Sequence, residues 1–164
     1  MSTEAIRSRR SVRRYQDKKV PDEVVDDILE CGMLAPTARN LQPWLLGAVT
    51  DKGLLKRIGS LADHGGFIAD CAVCFAVFTL KDEKYRIEDG CAAAMNIIHA
   101  CGAHGLGSCW VAGDKKAYAQ DVRQLLKVPD FHSLVALVSA GYPDEKPQPK
   151  GKKAREGATF KNTL

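Results

Sequence analysis

Three short segments of this 164-residue chain carry side chains whose types and spacing can do chemistry. The first is Arg9-Arg10-Ser11-Val12-Arg13-Arg14-Tyr15, four guanidinium groups, a hydroxyl and a phenol within seven residues. Guanidinium forks suit bidentate contacts with phosphate and hydrogen bonds to a carbonyl-rich ring. The second is Ala35-Pro36-Thr37-Ala38-Arg39-Asn40-Leu41-Gln42-Pro43-Trp44, a loop stiffened by two prolines that presents two amides, Asn40 and Gln42, with an aromatic at its end. A loop serving only as a connector needs neither amide in particular. The third, Gly141-Tyr142-Pro143-Asp144-Glu145-Lys146-Pro147-Gln148-Pro149-Lys150-Gly151-Lys152, reads as an extended, Pro-spaced arm. On an extended chain residues two apart point the same way, so Lys150 and Lys152 reach one side.

Charge placement agrees with these segments. The net charge of +4 hides an asymmetry: residues 1–20 hold seven bases and two acids, and residues 145–164 hold six bases and two acids. The middle is left with 11 bases and 16 acids. A chain basic only at its ends brings them to a polyanion or to one small anion. A basic nucleic-acid-binding module is the polyanion alternative. The acidic middle, 7% aromatics and no recognisable nucleic-acid motif weigh against it.

Other chemistries drop out on spacing. Gly105-Leu106-Gly107 lacks the third glycine of a dinucleotide loop and follows a helical pattern where a strand is required. Gly151-Lys152 is followed by Lys153, so there is no P-loop, and no G-x-S-x-G elbow surrounds Ser108. Four histidines, at 64, 99, 104 and 132, and six cysteines, at 31, 71, 74, 91, 101 and 109, match no metal pattern. Cys71 and Cys74 sit in the apolar run CAVCFAVFTL, where residues three apart on a strand face opposite sides; they are expected to be packed thiols. That run is only ten residues, and no apolar block follows the charged start, so a cytoplasmic protein without a membrane partner is expected.

The elements that must position these segments follow from periodicity and capping. A short helix from Ser2 or Thr3 to about Ser8 precedes the arginines. Pro21 opens a second helix that stops near Ala35, with Val24, Val25, Ile28 and Leu29 as its apolar stripe. Further helices are expected at 51–63, 83–103 and about 115–127, and strands at 44–50, 71–80, 108–112 and 134–142. Four strands and five helices in this order predict an α+β or three-layer domain.

Taken together and in order, the motifs R-R-S-x-R, A-P-[ST]-x-x-N-x-Q-P-W, G-L-G-S-C-W and G-Y-P-x-E-K-P-x-x-K resemble those of the FMN-dependent nitroreductase family, across residues 9 to 152. The resemblance implies an α+β three-layer sandwich with a central, mostly antiparallel sheet flanked by helices, and a single FMN-binding domain over 1–164 with a basic arm at 145–164. It also implies a homodimer with FMN at the subunit interface, NADH or NADPH as electron donor, and a small acceptor such as a nitroaromatic or quinone. By matching position, Arg9, Arg10, Ser11 and Arg13 would hold the phosphate, ribityl chain and pyrimidine edge, and Lys150 and Lys152 the phosphate. Pro36, Thr37 and Ala38 would reach the flavin from the other subunit, Asn40 and Gln42 would be the loop amides near it, and Trp110, Val111 and Ala112 would form the strand end facing the ring. Many members carry an acid near Ala112; this chain does not. The redox chemistry would belong to the flavin, so no catalytic side chain is assigned. The chain is short for the family, which implies an open, weakly selective pocket. A flavin-binding or flavin-modifying protein of the same fold is the alternative.

Overall fold

A computed structural model describes residues 3–163. It contains α1 (Glu4–Ser8), α2 (Asp22–Met33), β1 (Trp44–Val49), α3 (Lys52–Leu61), β2 (Val73–Leu80), α4 (Arg86–Ala103), β3 (Gly107–Ala112), α5 (Ala119–Leu125) and β4 (His132–Gly141), with 3-10 turns at Ala38–Asn40, Gly66–Asp70 and Arg155–Gly157. Ser2, one of the two caps expected for α1, lies outside the described residues, and Thr3 takes the capping position without a side-chain bond. Pro21 caps α2, with Asp22 and Glu23 complementing the helix dipole in its first turn. Asp51 caps α3, its carboxylate accepting the Leu54 N–H at 2.7 Å.

The strands form one sheet in the order β1-β2-β4-β3, each neighbouring pair antiparallel, with a bulge at Val77/Phe78. Side chains on β2 alternate between two cores. Val73, Phe75 and Val77 pack beneath α2 and α4, while Cys74, Ala76 and Phe78 pack with α3 and α5. Helices therefore cover both faces of the sheet, giving three layers. Small residues let α4 lie close: a Cβ on Gly90 would stand 2.8 Å from a Val135 methyl. Gly105, at φ +72°, ends that helix in the left-handed conformation that favours glycine, and Leu106 N–H closes the turn on the Cys101 carbonyl at 2.8 Å.

Some expectations shift. α4 starts at Arg86 rather than 83 and α5 at Ala119 rather than 115, because turns precede both. Lys115, at φ 57°, breaks the helical pattern before α5. β4 begins at His132, two residues early, paired with Leu80. Cys71 and Cys74 do not face opposite sides: β2 begins only at Val73, the bend before it reorients Cys71, and both thiols lie in the same core. Both are reduced and packed, and burial pushes the Cys71 thiol up to about 12 and Cys74 further in the same direction.

The segment 11–16, which sequence patterning leaves irregular, is zipped onto the sheet. Val12 N–H donates to the Ser108 carbonyl, Gln16 N–H to Tyr142 and Asp144 N–H to Arg14, each at 2.9 Å. Ser11 bridges Ser108 and Tyr15 bridges Pro143. Tyr15 is buried beneath this seam, its hydroxyl donating to the Val12 carbonyl at 2.6 Å and standing 2.7 Å from Ser139 Oγ.

Candidate functional site

The seam delivers the opening arginines to a cleft of about 360 Å³. Arg9 and Arg10 line it beside Ile98, His99, Leu106, Gly107 and Ser108, with Pro143, Glu145 and Pro147 from the arm. Arg9 is half-buried and, among the described residues, forms no ion pair. Arg10 is partly committed: its Nη1 donates to the Arg7 and Arg9 carbonyls at 2.8 Å each, capping the end of α1. Glu145, which the sequence reading did not single out, holds the seam shut. Its Oε1 accepts backbone N–H groups from Arg13 at 2.6 Å and Arg14 at 3.1 Å, and these bonds lower its carboxyl below the ordinary 4.5.

Arg13 leaves this cleft. Its guanidinium lies 5.6 Å from the Phe67 ring centroid and lines a second opening of about 560 Å³ with Arg14, Lys52 and Lys56. The extended segment thus offers cations on two sides, with Ser11 pinned between them by its Ser108 bridge.

β3 ends near a second polar group. Trp110 is half-buried, Val111 buried and Ala112 exposed. The Tyr118 hydroxyl donates to the Ala112 carbonyl, and Gly113 and Asp114 N–H both donate to the Val135 carbonyl, at 3.0 and 3.1 Å. Contrary to the expectation that no acid stands near Ala112, Asp114 lies two residues beyond it, and it is engaged by Arg86 of α4 at 2.9 Å.

The Pro36–Gln42 loop stands at the opposite end of α4 from the arginine cleft. Asp89, in the first turn of α4, accepts the Ala38 N–H at 3.1 Å, whereas Gly102 and Ala103 at the other end line the cleft. Asp89 and Gly102 stand thirteen positions apart on the helix, about 20 Å at 1.5 Å per residue. Within one chain the loop and the arginines do not meet. Thr37 Oγ1 accepts the Gln42 N–H and Gln42 Nε2 donates to Asn40 Oδ1, both at 3.1 Å, and the two amides are exposed. Lys150 and Lys152 are likewise exposed. The arm's hydrogen bonds beyond Pro147 are internal among the described residues, so neither lysine is brought to Arg9 within the chain.

No helix among the described residues is long and apolar enough to cross a membrane. The nitroreductase family profile matches residues 6–63 and 61–142. A protein of Archaeoglobus fulgidus, provisionally named NADH dehydrogenase/NAD(P)H nitroreductase, is 34% identical over 148 residues, covering 86% of this chain and 85% of its own length. One of the same provisional name from Methanothermobacter thermautotrophicus is 31% identical over 149 residues, covering 88% of this chain and 78% of its own. The solved structure of an FMN-dependent nitroreductase from Clostridium difficile R20291 superposes with a TM-score of 0.93 at 28% identity, covering 99% of this chain and 100% of that one. The profile spans most of the chain and the sequence and structural likenesses agree with it, so this chain belongs to the nitroreductase family.

Proposed function

We propose that two copies of this chain, each a single domain with its basic arm at 145–164, hold FMN at their interface and pass hydride from NADH or NADPH to a small acceptor such as a nitroaromatic or quinone, in the cytoplasm. The observation that carries this reading is Arg9, which forms no ion pair among the described residues, in a cleft where the opening segment and the arm converge. A half-buried cation with no anionic partner is a standing site for a phosphate. The residues present fit FMN in a second respect: the Pro36–Gln42 loop presents two exposed amides some 20 Å from that cation along α4, so in this reading a second copy completes each site.

In this reading Arg9, Arg10 and Ser11 bind the phosphate and ribityl end, Arg13 faces the pyrimidine edge, and Trp110, Val111 and Ala112 back the ring. Pro36, Thr37, Ala38, Asn40 and Gln42 belong to the partner's half, and Lys150 and Lys152 close the phosphate once the arm folds over. When bound, FMN supplies the ring that takes hydride from the nicotinamide and yields it to the acceptor. Arg13, at the second opening beside Phe67, would offer its cation to charge developing on that ring from its own side of the seam. The short turn between β2 and α4 leaves room for varied acceptors.

Purified protein is expected to be yellow and dimeric, and the double variant Arg9→Ala, Lys150→Ala to lose its flavin. Anaerobic reduction with each nicotinamide, followed by a panel of nitroaromatic and quinone acceptors, defines donor and acceptor. A colourless protein that does not bind added FMN overturns the reading. Flavin binding without NAD(P)H oxidation in the presence of any acceptor supports the flavin-binding alternative instead.

A further inference from the structure

We infer that Asp89 is a positioning residue for the cofactor site, holding the Pro36–Gln42 loop in a preformed shape; this rests on the reading that the loop contacts FMN in the other subunit. Three side-chain-bearing residues of the loop, Arg39, Asn40 and Gln42, occupy the left-handed region at φ 53°, 56° and 51°. Such backbone persists only where its surroundings over-determine it. Two of the loop's tethers are internal, Thr37 to Gln42 and Gln42 to Asn40. At the loop's far end Leu80 N–H binds the Pro43 carbonyl at 2.9 Å. Its entry is held from outside by Asp89, which is 6% exposed and crosses 51 positions of sequence to take the Ala38 N–H.

The anchor is itself fixed. Gly90, the next residue, allows α4 so near the sheet that a Cβ there would stand 2.8 Å from Val135 and 3.1 Å from Thr79. One turn earlier Arg86 is tied to Asp114 at 2.9 Å. An acid in the first helical turn is favoured by the helix dipole, so the carboxylate costs little to hold there. Asp89 touches neither proposed cofactor nor acceptor; it acts through Ala38 on the amides of Asn40 and Gln42.

The test compares Asp89→Ala with Asp89→Asn, whose Oδ1 can still accept the Ala38 N–H. Asp89→Ala is expected to weaken FMN binding about tenfold, as one backbone tether is lost to a strained loop. Its bound flavin should show an altered visible circular dichroism spectrum, and the Ala38 amide should exchange faster with solvent. Asp89→Asn is expected to restore binding to within about threefold of the parent, with the parent spectrum. If Asp89→Ala does not fold, Asp89→Ser, too short to span the same gap, takes its place. Unchanged FMN affinity, spectrum and Ala38 exchange in the Ala or Ser variant overturn the positioning role and leave the flavin reading intact. A parent protein that binds no FMN overturns both.

Discussion

Replacing Gly107 by alanine probes the seam on which the arginine cleft depends. A Cβ at Gly107 would lie 2.7 Å from Val12 Cβ and Cγ2 and 2.8 Å from Cγ1. Carbon atoms pack at about 3.5–4.0 Å, so the two segments must part by about 1 Å. Val12 cannot turn away, because it is 6% exposed and β-branched. The shift would stretch the 2.9 Å bond from Val12 N–H to the Ser108 carbonyl past hydrogen-bonding range. Overpacking costs about 1–3 kcal/mol and the lost bond about 1 kcal/mol, offset by about 0.4–1 kcal/mol from the stiffer unfolded chain. The net is a destabilisation of about 2 kcal/mol. Without the clash the sign would reverse, since Gly107 has no left-handed φ that alanine would resist. Urea unfolding of Gly107→Ala, Val12→Ala and the double variant measures it. Because Val12→Ala removes two of the three contacts, the pair should recover about 1 kcal/mol relative to additivity. FMN affinity should fall with Gly107→Ala as Arg9 and Ser11 move. A Gly107→Ala protein as stable as the parent, or a strictly additive cycle, refutes the reasoning.

Burial pushes the Cys71 and Cys101 thiols up to about 12, from an ordinary 9.0. The folded state keeps protons that the unfolded state releases, so the contribution of these thiols should be constant below pH 9 and stability should fall as pH rises from about 9 to about 12, by urea midpoints. At pH 8 iodoacetamide should modify half-buried Cys31 and Cys91 well before the four buried thiols, read by mass spectrometry. Glu145 behaves in the opposite sense. Its folded pKa lies below 4.5, chiefly through the Arg13 N–H, so its contribution is present above that value and is lost as pH falls through the lowered one. Glu145→Gln should speed amide exchange at Arg13 and Arg14 at pH 7. Tyr118→Phe removes the hydroxyl bound to the Ala112 carbonyl and should cost about 1 kcal/mol by urea unfolding.

Local signals carried much of the fold. Continuous apolar character in 71–80 identified a buried strand, Pro21 identified the start of α2, and periodicity placed a helix in 51–63. Boundaries slipped where a turn precedes a helix, as at Lys115, because single left-handed residues leave no periodic trace. The seam was not legible: its bonds join Arg13 to Glu145 across 132 positions, and nothing local in RSVRRY requires them. Asp89 was missed for the same reason, since an acid in a first helical turn reads as dipole complement until its partner at Ala38 is seen. Arg9 and the loop amides were legible by residue type, but not that α4 keeps them apart.

The seam also sets an order of events in folding. Arg9 to Tyr15 are made well before their partners Ser108, Tyr142, Asp144 and Glu145, Arg13 and Glu145 standing 132 positions apart. Pairing of such high contact order is slow to close and must wait for the sheet that receives it. The arginine-lined cleft is thus assembled after the core. Truncation between Gly141 and Glu145 takes Glu145 and Pro147 from the cleft while leaving all four strands of the sheet in the chain.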